Sequence, residues 1–375
     1  MDSGALTYLP GGGLLASFAL AARRGTPPFS LKFARSDNGG KTWAPLPALD
    51  LCDGLPFVHN GGLYLLANRR GPIGTDAAGY PIHCGAPTAR DVVITQSNDG
   101  GQTWVQPVTL FEGAYWNAPT GYALAHGRLY RAFDIPAAGI TEDGVAGNSN
   151  VVVAGDLSRD LLDPGAWRIS RPVDFPGIPP SLKRRQYPDK ADRWLEPNVV
   201  CVRGQLRVLA RVRIDYLSTA GMSAVCDVDD DGENLTHRFV QFHPMPGGQC
   251  KFYIIHDEVS NLFWTPANLP TNSQDPTWGE QVKARGFHQA PGNERRFLML
   301  MYSLDALNWF QAGCIAMSTN PLQSFHYAGA LIDGNDLLIL SRTSRDAPNQ
   351  HDSDLVTFHR VRDFRSLALN LHADT

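Results

Sequence analysis

Residues 97–104 read SNDGGQTW, and sixty-one positions earlier residues 36–43 read SDNGGKTW, nearly the same eight letters. In the second copy Asp99 can accept hydrogen bonds from the amides of its own turn. Gly100 and Gly101 permit positive φ, and Trp104 is large enough to pack between neighbouring sheets. The first copy carries Asn38 in place of Asp99, a neutral acceptor suited to the same turn. SLDALNW from residue 303 and CDVDDDGENL from residue 226 read as decayed copies. The chemistry of such a turn is complete within itself, so it announces a fold and not an activity.

A second unit recurs along the chain: a turn, a glycine, then an apolar strand ending in polar residues. It appears as GGGLLAS from 11, NGGLYLLANRR from 60, HGRLYRAFD from 126, RGQLRVLARVR from 203 and DGNDLLILSR from 333, with NERRFLMLMYS from 293 as a weaker copy. Each copy is short and rich in β-forming residues, while helical periodicity is weak; only LSRDLLDPGAW suggests a helical turn. One strand unit written five or six times indicates an internal repeat. Four-stranded sheets repeated around an axis explain it, because a propeller removes most exposed strand edges. The fold expected is therefore an all-β propeller over residues 1–375. Blades of about 50 residues give seven, the preferred count, and the 61-residue spacing gives six as the alternative.

Composition agrees. The chain has 43% hydrophobic and 19% charged residues, and its 36 Gly and 27 Pro are spread along its whole length, as many short strands and turns require. A formal net charge of −4 gives no electrostatic reason to expect nucleic acid or an anionic membrane as partner. No stretch reaches the roughly 18 apolar residues of a spanning helix. In LLASFALAARRG the charges follow the apolar run, the wrong order for a signal peptide. The six cysteines lie far apart with no CxxC spacing and read as scattered buried thiols. The acidic run DVDDDG from 227 resembles the start of a calcium loop, but its twelfth position is Arg238, where a bidentate Glu is required. It reads as a solvated turn; no cofactor is required, no metal ligand is assigned, and a structural calcium stays open.

The pattern Ser-x-Asp-x-Gly-x-Thr-Trp is similar to the Asp-box of sialidase-type, or BNR-repeat, propellers. The stretches WLEPNVV, LARV, GGQCKFYIIHDEVSNLFW, DGNDLLILSRTS and HDSDLVTFHRVRDFRSL resemble more closely the seven-bladed propellers that remove terminal rhamnose from rhamnosyl-α-1,4-glucuronate of plant arabinogalactan. In sialidases an Arg-Ile-Pro motif would fall on Tyr8-Leu9-Pro10, which lacks the arginine, so exo-α-sialidase is the less favoured activity. The resemblance implies that the box lies between the third and fourth strands of a blade, on the face away from the ligand. It also leans towards a secreted or periplasmic protein, a monomer or weak homo-oligomer.

With one face marked, the loops of the other hold the candidates. His83, Tyr187, Glu196 and His351 are the candidate catalytic residues, because histidine, carboxylate and tyrosine can move protons at a sugar. Arg90, Trp116, Asn117, Asn198, Arg211, Lys251 and Asp352 are candidate substrate-binding residues: aromatic faces for the ring, cations for a carboxylate, amides for hydroxyls. The function expected is a glycoside hydrolase or polysaccharide lyase acting on a terminal sugar linked to a uronic acid. A non-catalytic sugar-binding propeller is the alternative.

Overall fold

The structure is a computed structural model that describes residues 2–19, 30–71, 89–136, 140–141, 144–145, 148–179, 192–214, 221–271, 284, 294–320, 322–347, 350–351 and 353–369. Six antiparallel sheets follow one another along the chain, each beginning at the inner strand. Blade 1 is β1 (Asp2–Tyr8), β2 (Leu14–Ala19), β3 (Leu31–Ser36) and β4 (Ala44–Leu49); blade 2 is β5 (Leu51–His59), β6 (Gly62–Arg70), β7 (Ala89–Ser97) and β8 (Val108–Phe111). Blade 3 contains β9 (Ala123–Ala125), β10 (Arg128–Pro136), β13 (Asn148–Asp156) and β14 (Trp167–Ile169). A small hairpin, β11 (Ile140–Thr141) with β12 (Gly144–Val145), lies between its second and third strands, and β15 (Val173–Asp174) adds to its edge. Blade 4 is β16 (Arg193–Val202), β17 (Gln205–Arg213), β18 (Met222–Asp230) and β19 (Leu235–Pro244). Blade 5 is β20 (Ile255–Asp257), β21 (Leu262–Asn268), β22 (Phe297–Ser303) and β23 (Trp309–Met317). Blade 6 has three strands, β24 (Ser324–Asp333), β25 (Asp336–Ser344) and β26 (Leu355–Val361).

The blade count is six and not the preferred seven. The two SxxGGxTW turns belong to consecutive blades, so their 61-residue spacing is one blade. The 50-residue estimate fails because long connections between second and third strands, such as that from Arg70 to Ala89, lengthen each unit. The five strong copies of the glycine–strand unit are the second strands β2, β6, β10, β17 and β25. The weaker copy at 293 is corrected: it forms β22, a third strand, whereas the second strand of blade 5 is β21. The expected helical turn is a 3-10 turn at Pro164–Ala166, capped by the Asp163 carboxylate on Gly165 N.

Burial follows the seams. Apolar residues collect in six clusters, one between each pair of adjacent blades: Leu15 with Leu63, Phe57 with Leu129, Tyr130 with Val208, Val200 with Phe263, Trp264 with Leu337, and Leu338 with Leu6. Each sheet is thus apolar on both faces, and the core is a ring of wedges. The repeated turns sit between third and fourth strands and reach across these seams. Ser97 Oγ donates to Asp99 Oδ1 (2.8 Å), which accepts from Thr103 N (2.9 Å), and the Trp104 ring stacks on Phe33 of blade 1 at 5.3 Å. Hydrogen bonds from the Thr103 side chain and backbone hold the exposed Asp99 carboxyl at about 2. In blade 1 Asn38 Oδ1 accepts from Thr42 N (2.9 Å) and Trp43 meets Phe358 of blade 6, while Asp305 and Asp231 cap the equivalent turns of blades 5 and 4. The acidic DVDDDG run is that last turn, in which Asp230 accepts from Arg168 and Tyr130. Of the described cysteines, Cys52, Cys226 and Cys250 are buried as expected, but Cys314 is exposed; all are free thiols.

Blade 6 closes the ring on both sides. Tyr8 of blade 1 donates to Asp333 Oδ1 (2.7 Å) and Arg360 donates to Gly39 O (3.1 Å). After β26 the chain turns back to blade 5: Phe364 is buried edge-on against Trp264, and Arg365 donates two hydrogen bonds of 2.7 Å to the Asp257 carboxylate. Burial alone would raise the Asp257 pKa, but the Arg365 and Ser260 hydrogen bonds overcome it and hold the group at about 2. A folded value below the unfolded carboxylate value means that this stabilisation is complete above about pH 4 and is lost as pH falls through about 2. Asp257→Asn is expected to lower stability by about 2 kcal/mol at pH 7, and the gap between wild type and variant to close between about pH 4 and pH 2, as read from urea denaturation across pH.

Candidate functional site

The inner strands of alternate blades share an irregularity. Pairing slips between Cys52 and Leu55 in blade 2, between Leu195 and Asn198 in blade 4, and between His326 and Gly329 in blade 6. At each slip a bulged residue takes left-handed backbone: Asp53 (φ 52°), Glu196 (φ 55°) and Tyr327 (φ 50°). A non-glycine residue in this region inside a strand persists only where its surroundings over-determine it, and such residues concentrate at functional sites. Across the strand pair, just before each bulge, Cys52 faces Asn68, Leu195 faces Arg211 and His326 faces Arg342.

Each bulge is held from a neighbouring blade by a buried side chain. Arg131 donates to the carbonyls of Asp53, Leu66 and Asn117 at 2.9–3.0 Å. Asp134 Oδ2 accepts from Glu196 N at 2.7 Å. Burial, with the nearby Glu196 charge adding to it, pushes the Asp134 carboxyl well above its ordinary value. Lys251 Nζ donates to Ala328 O at 2.8 Å, fixing the residue after Tyr327.

The bulges of blades 4 and 6 meet at one guanidinium. Arg211 NH1 donates to Glu196 Oε2 (2.8 Å) and lies 3.4 Å from the Tyr327 hydroxyl, while Arg211 Nε donates to Gln249 O (2.7 Å). Two more arginines flank the tyrosine: the Arg342 guanidinium carbon is 5.1 Å and that of Arg295 is 5.8 Å from its ring centroid. Burial opposes the charge on Arg211, and Glu196 more than restores it. Arg295 is lowered by burial first and further by repulsion from Arg211 and Arg342. Burial, followed by the Glu196 charge, raises the Tyr327 phenol, so it is held as the neutral phenol. The His351 ring is 5.9 Å from Tyr327 and 6.1 Å from His326. The cluster can therefore hold an anion beside a phenol that has a carboxylate on the same guanidinium.

Of the sequence candidates, Glu196, Arg211 and His351 lie in this cluster, and Lys251 supports it from behind. Asn117 and Asn198 are fully buried links between blades: Asn117 Nδ2 donates to Ala132 O (2.8 Å) and Pro197 O (3.1 Å), and Asn198 Oδ1 accepts from Gly121 N and Ile254 N. Trp116 forms an isolated bridge with Asp134, and Arg90, at the start of β7, accepts through its carbonyl from Asn68. His83, Tyr187 and Asp352 lie outside the described residues. Sequence reading missed Tyr327, Arg342, Arg295, His326, Asp53 and Asp134. A register signal existed for two of them: Asp53 and Tyr327, like the candidate Glu196, stand ten residues before the first leucine of the following strand, Leu63, Leu337 and Leu206 respectively. Among the described residues no group of three or more His, Cys, Asp or Glu side chains is placed to hold a metal, and no helix is long and apolar enough to cross a membrane.

No protein-family model matches the chain, and no curated protein matches it by sequence. Solved structures do. A Dyadobacter fermentans protein of unknown function matches with a TM-score of 0.58 and 13% identity, over 96% of this chain and 94% of that one. Trypanosoma rangeli sialidase, as its covalent 2,3-difluorosialic acid intermediate, matches with 0.60 and 13% over 98% and 55%. Penicillium chrysogenum α-L-arabinanase with arabinobiose matches with 0.53 and 15% over 96% and 93%. The likeness at these identities is one of fold: this chain is a β-propeller, as those glycosidases are. The chain spans about half the length of the trypanosomal sialidases.

A buried pair that loses one member leaves the other charge uncompensated. Arg211→Met is expected to cost about 3–5 kcal/mol in urea denaturation, and the double variant Glu196→Gln/Arg211→Met to be more stable than Arg211→Met alone. Additive losses would contradict the pairing.

Proposed function

We propose that the protein is a carbohydrate-active enzyme that cleaves a glycosidic bond next to a sugar carboxylate, as in rhamnosyl-α-1,4-glucuronate. The observation that carries this reading is the convergence of Glu196 and Tyr327 on Arg211, with Arg295 and Arg342 beside the same tyrosine ring. Three guanidiniums around one phenol favour an anion, and arginine matches a carboxylate with two parallel donors. Sialidases and an arabinanase among the structural neighbours support a sugar as the anion's carrier.

In this reading Arg295 and Arg342 orient the carboxylate, and Glu196 takes the phenolic proton as the Tyr327 oxygen attacks the anomeric carbon. The raised phenol explains why a base is needed, and Glu196 shares the guanidinium that the phenol approaches. The departing oxygen takes a proton from an acid across the mouth. Asp53 stands at the matching bulge of blade 2, and His83, His351 and Asp352 remain candidates from the sequence. Water then hydrolyses the glycosyl-tyrosine, returning the phenolic proton by the reverse route. If the chemistry is instead elimination, the product carries a 4,5-unsaturated uronate.

Gum arabic and rhamnosyl-glucuronate are the test substrates. Hydrolysis is expected to release rhamnose without ultraviolet absorbance from an unsaturated uronate. Tyr327→Phe is expected to lower kcat by about 10³-fold or more with its melting temperature unchanged, and Arg342→Met to act mainly on KM. Binding of these glycans without turnover would identify a sugar-binding propeller, and the absence of both would remove the carbohydrate reading.

A further inference from the structure

His326 is fully buried, and among the described residues neither of its ring nitrogens has a hydrogen-bond partner. A buried polar group left unmatched costs about 1–3 kcal/mol, so such an orphan in the middle of a charged cluster calls for a partner that binds from outside the chain. Its place is set by three elements. It pairs across the strands with Arg342, it immediately precedes the left-handed Tyr327, and its ring lies 5.3 Å from the Tyr327 ring and 6.1 Å from that of His351. Burial first, then Arg342, Arg295 and His351, holds the imidazole well below its ordinary value. The charged imidazolium is thus disfavoured, and the neutral ring has one nitrogen that donates and one that accepts. That is the chemistry of a hydroxyl reader, since a sugar hydroxyl also donates once and accepts.

We propose that His326 contacts the substrate, hydrogen-bonding a ring hydroxyl of the acidic sugar whose carboxylate is held by Arg295 and Arg342. This rests on the reading of the cluster as a carboxylate site. It adds a discrimination that the arginines cannot make: they recognise any carboxylate, whereas His326 selects carboxylates that carry a hydroxyl. A site built to bond a hydroxyl rejects the analogue lacking it, because the buried imidazole is then left unmatched again.

The experiment is calorimetric titration of D-glucuronate and of cyclohexanecarboxylate, an acid ring without hydroxyls, into wild type, His326→Phe and Arg342→Met. The expected result is that His326→Phe weakens glucuronate about tenfold and leaves cyclohexanecarboxylate unchanged, while Arg342→Met weakens both. Equal effects of His326→Phe on the two acids, or none on either, would overturn the role of His326 and leave the carboxylate site standing. Failure of wild type to bind either acid, or indifference to Arg342→Met, would instead remove the carboxylate site and this inference with it. Imidazole ¹⁵N resonances of His326 in the wild-type protein give a readout that does not depend on the variant folding. They are expected to move with glucuronate and not with cyclohexanecarboxylate; equal movement, or none with either, would overturn the proposal.

Discussion

Left-handed backbone at a residue with a full side chain is the constraint on which the centre of this propeller depends. Each such residue costs on the order of 1–3 kcal/mol, and Asp53, Glu196 and Tyr327 adopt it inside strands where regular pairing was the cheaper choice. Arg131, Asp134 and Lys251, buried side chains from adjoining blades, hold the three bulges in place. A bulge turns one side chain out of the pleat, and here it brings Glu196 and Tyr327, 131 positions apart in sequence, onto the same Arg211 guanidinium. Wedge-shaped packing between blades supplies the rigidity that makes this affordable, because each seam is a closed apolar cluster.

Charge is distributed unevenly around the axis. Blades 4 to 6 bring Arg211, Arg295, Arg342 and Lys251 with the Glu196 carboxylate, whereas blades 2 and 3 bring Asp53, Asn68, Asn117, Asp134 and Asn150 with Arg131, whose guanidinium is engaged by backbone carbonyls. In the proposed reading an acidic sugar orients itself in that field, carboxylate towards blades 5 and 6. The opposite end of the axis is of different character. A cavity of about 240 Å³, lined largely by apolar residues such as Leu6, Leu124, Val199 and Phe263, opens among the turns there and presents no comparable set of cations.

The architecture was legible because its signals are local. A capped turn and a glycine–strand unit are complete within ten residues, so SNDGGQTW and NGGLYLLANRR could be read without any long-range contact. Blade number was less legible: the 61-residue spacing of the two turns held it, but long connections between second and third strands set that spacing apart from the more usual blade of about 50 residues. The site was legible in part: Glu196 and Arg211 belong to one hairpin and stand out as a carboxylate and a cation on paired strands. Tyr327 and Arg342 did not, because in SFHYAGALIDG and LLILSRTS they look like ordinary strand residues. Only alignment of the bulge positions ten residues ahead of Leu63, Leu206 and Leu337 reveals that Tyr327 occupies the place of Glu196. Asn117 and Asn198 carry the opposite lesson. Polar residues before or within inner strands look like ligand contacts, yet their amides are engaged in joining one blade to the next.

The central claim is that the working site is the cationic cluster around Tyr327, and a crystal structure with D-glucuronate bound tests it most directly. The expected result is the carboxylate within hydrogen-bond distance of Arg295 and Arg342. Glucuronate seated in the turn-face cavity, or against Trp116 and Arg90 with no contact to Tyr327 or its arginines, would contradict it.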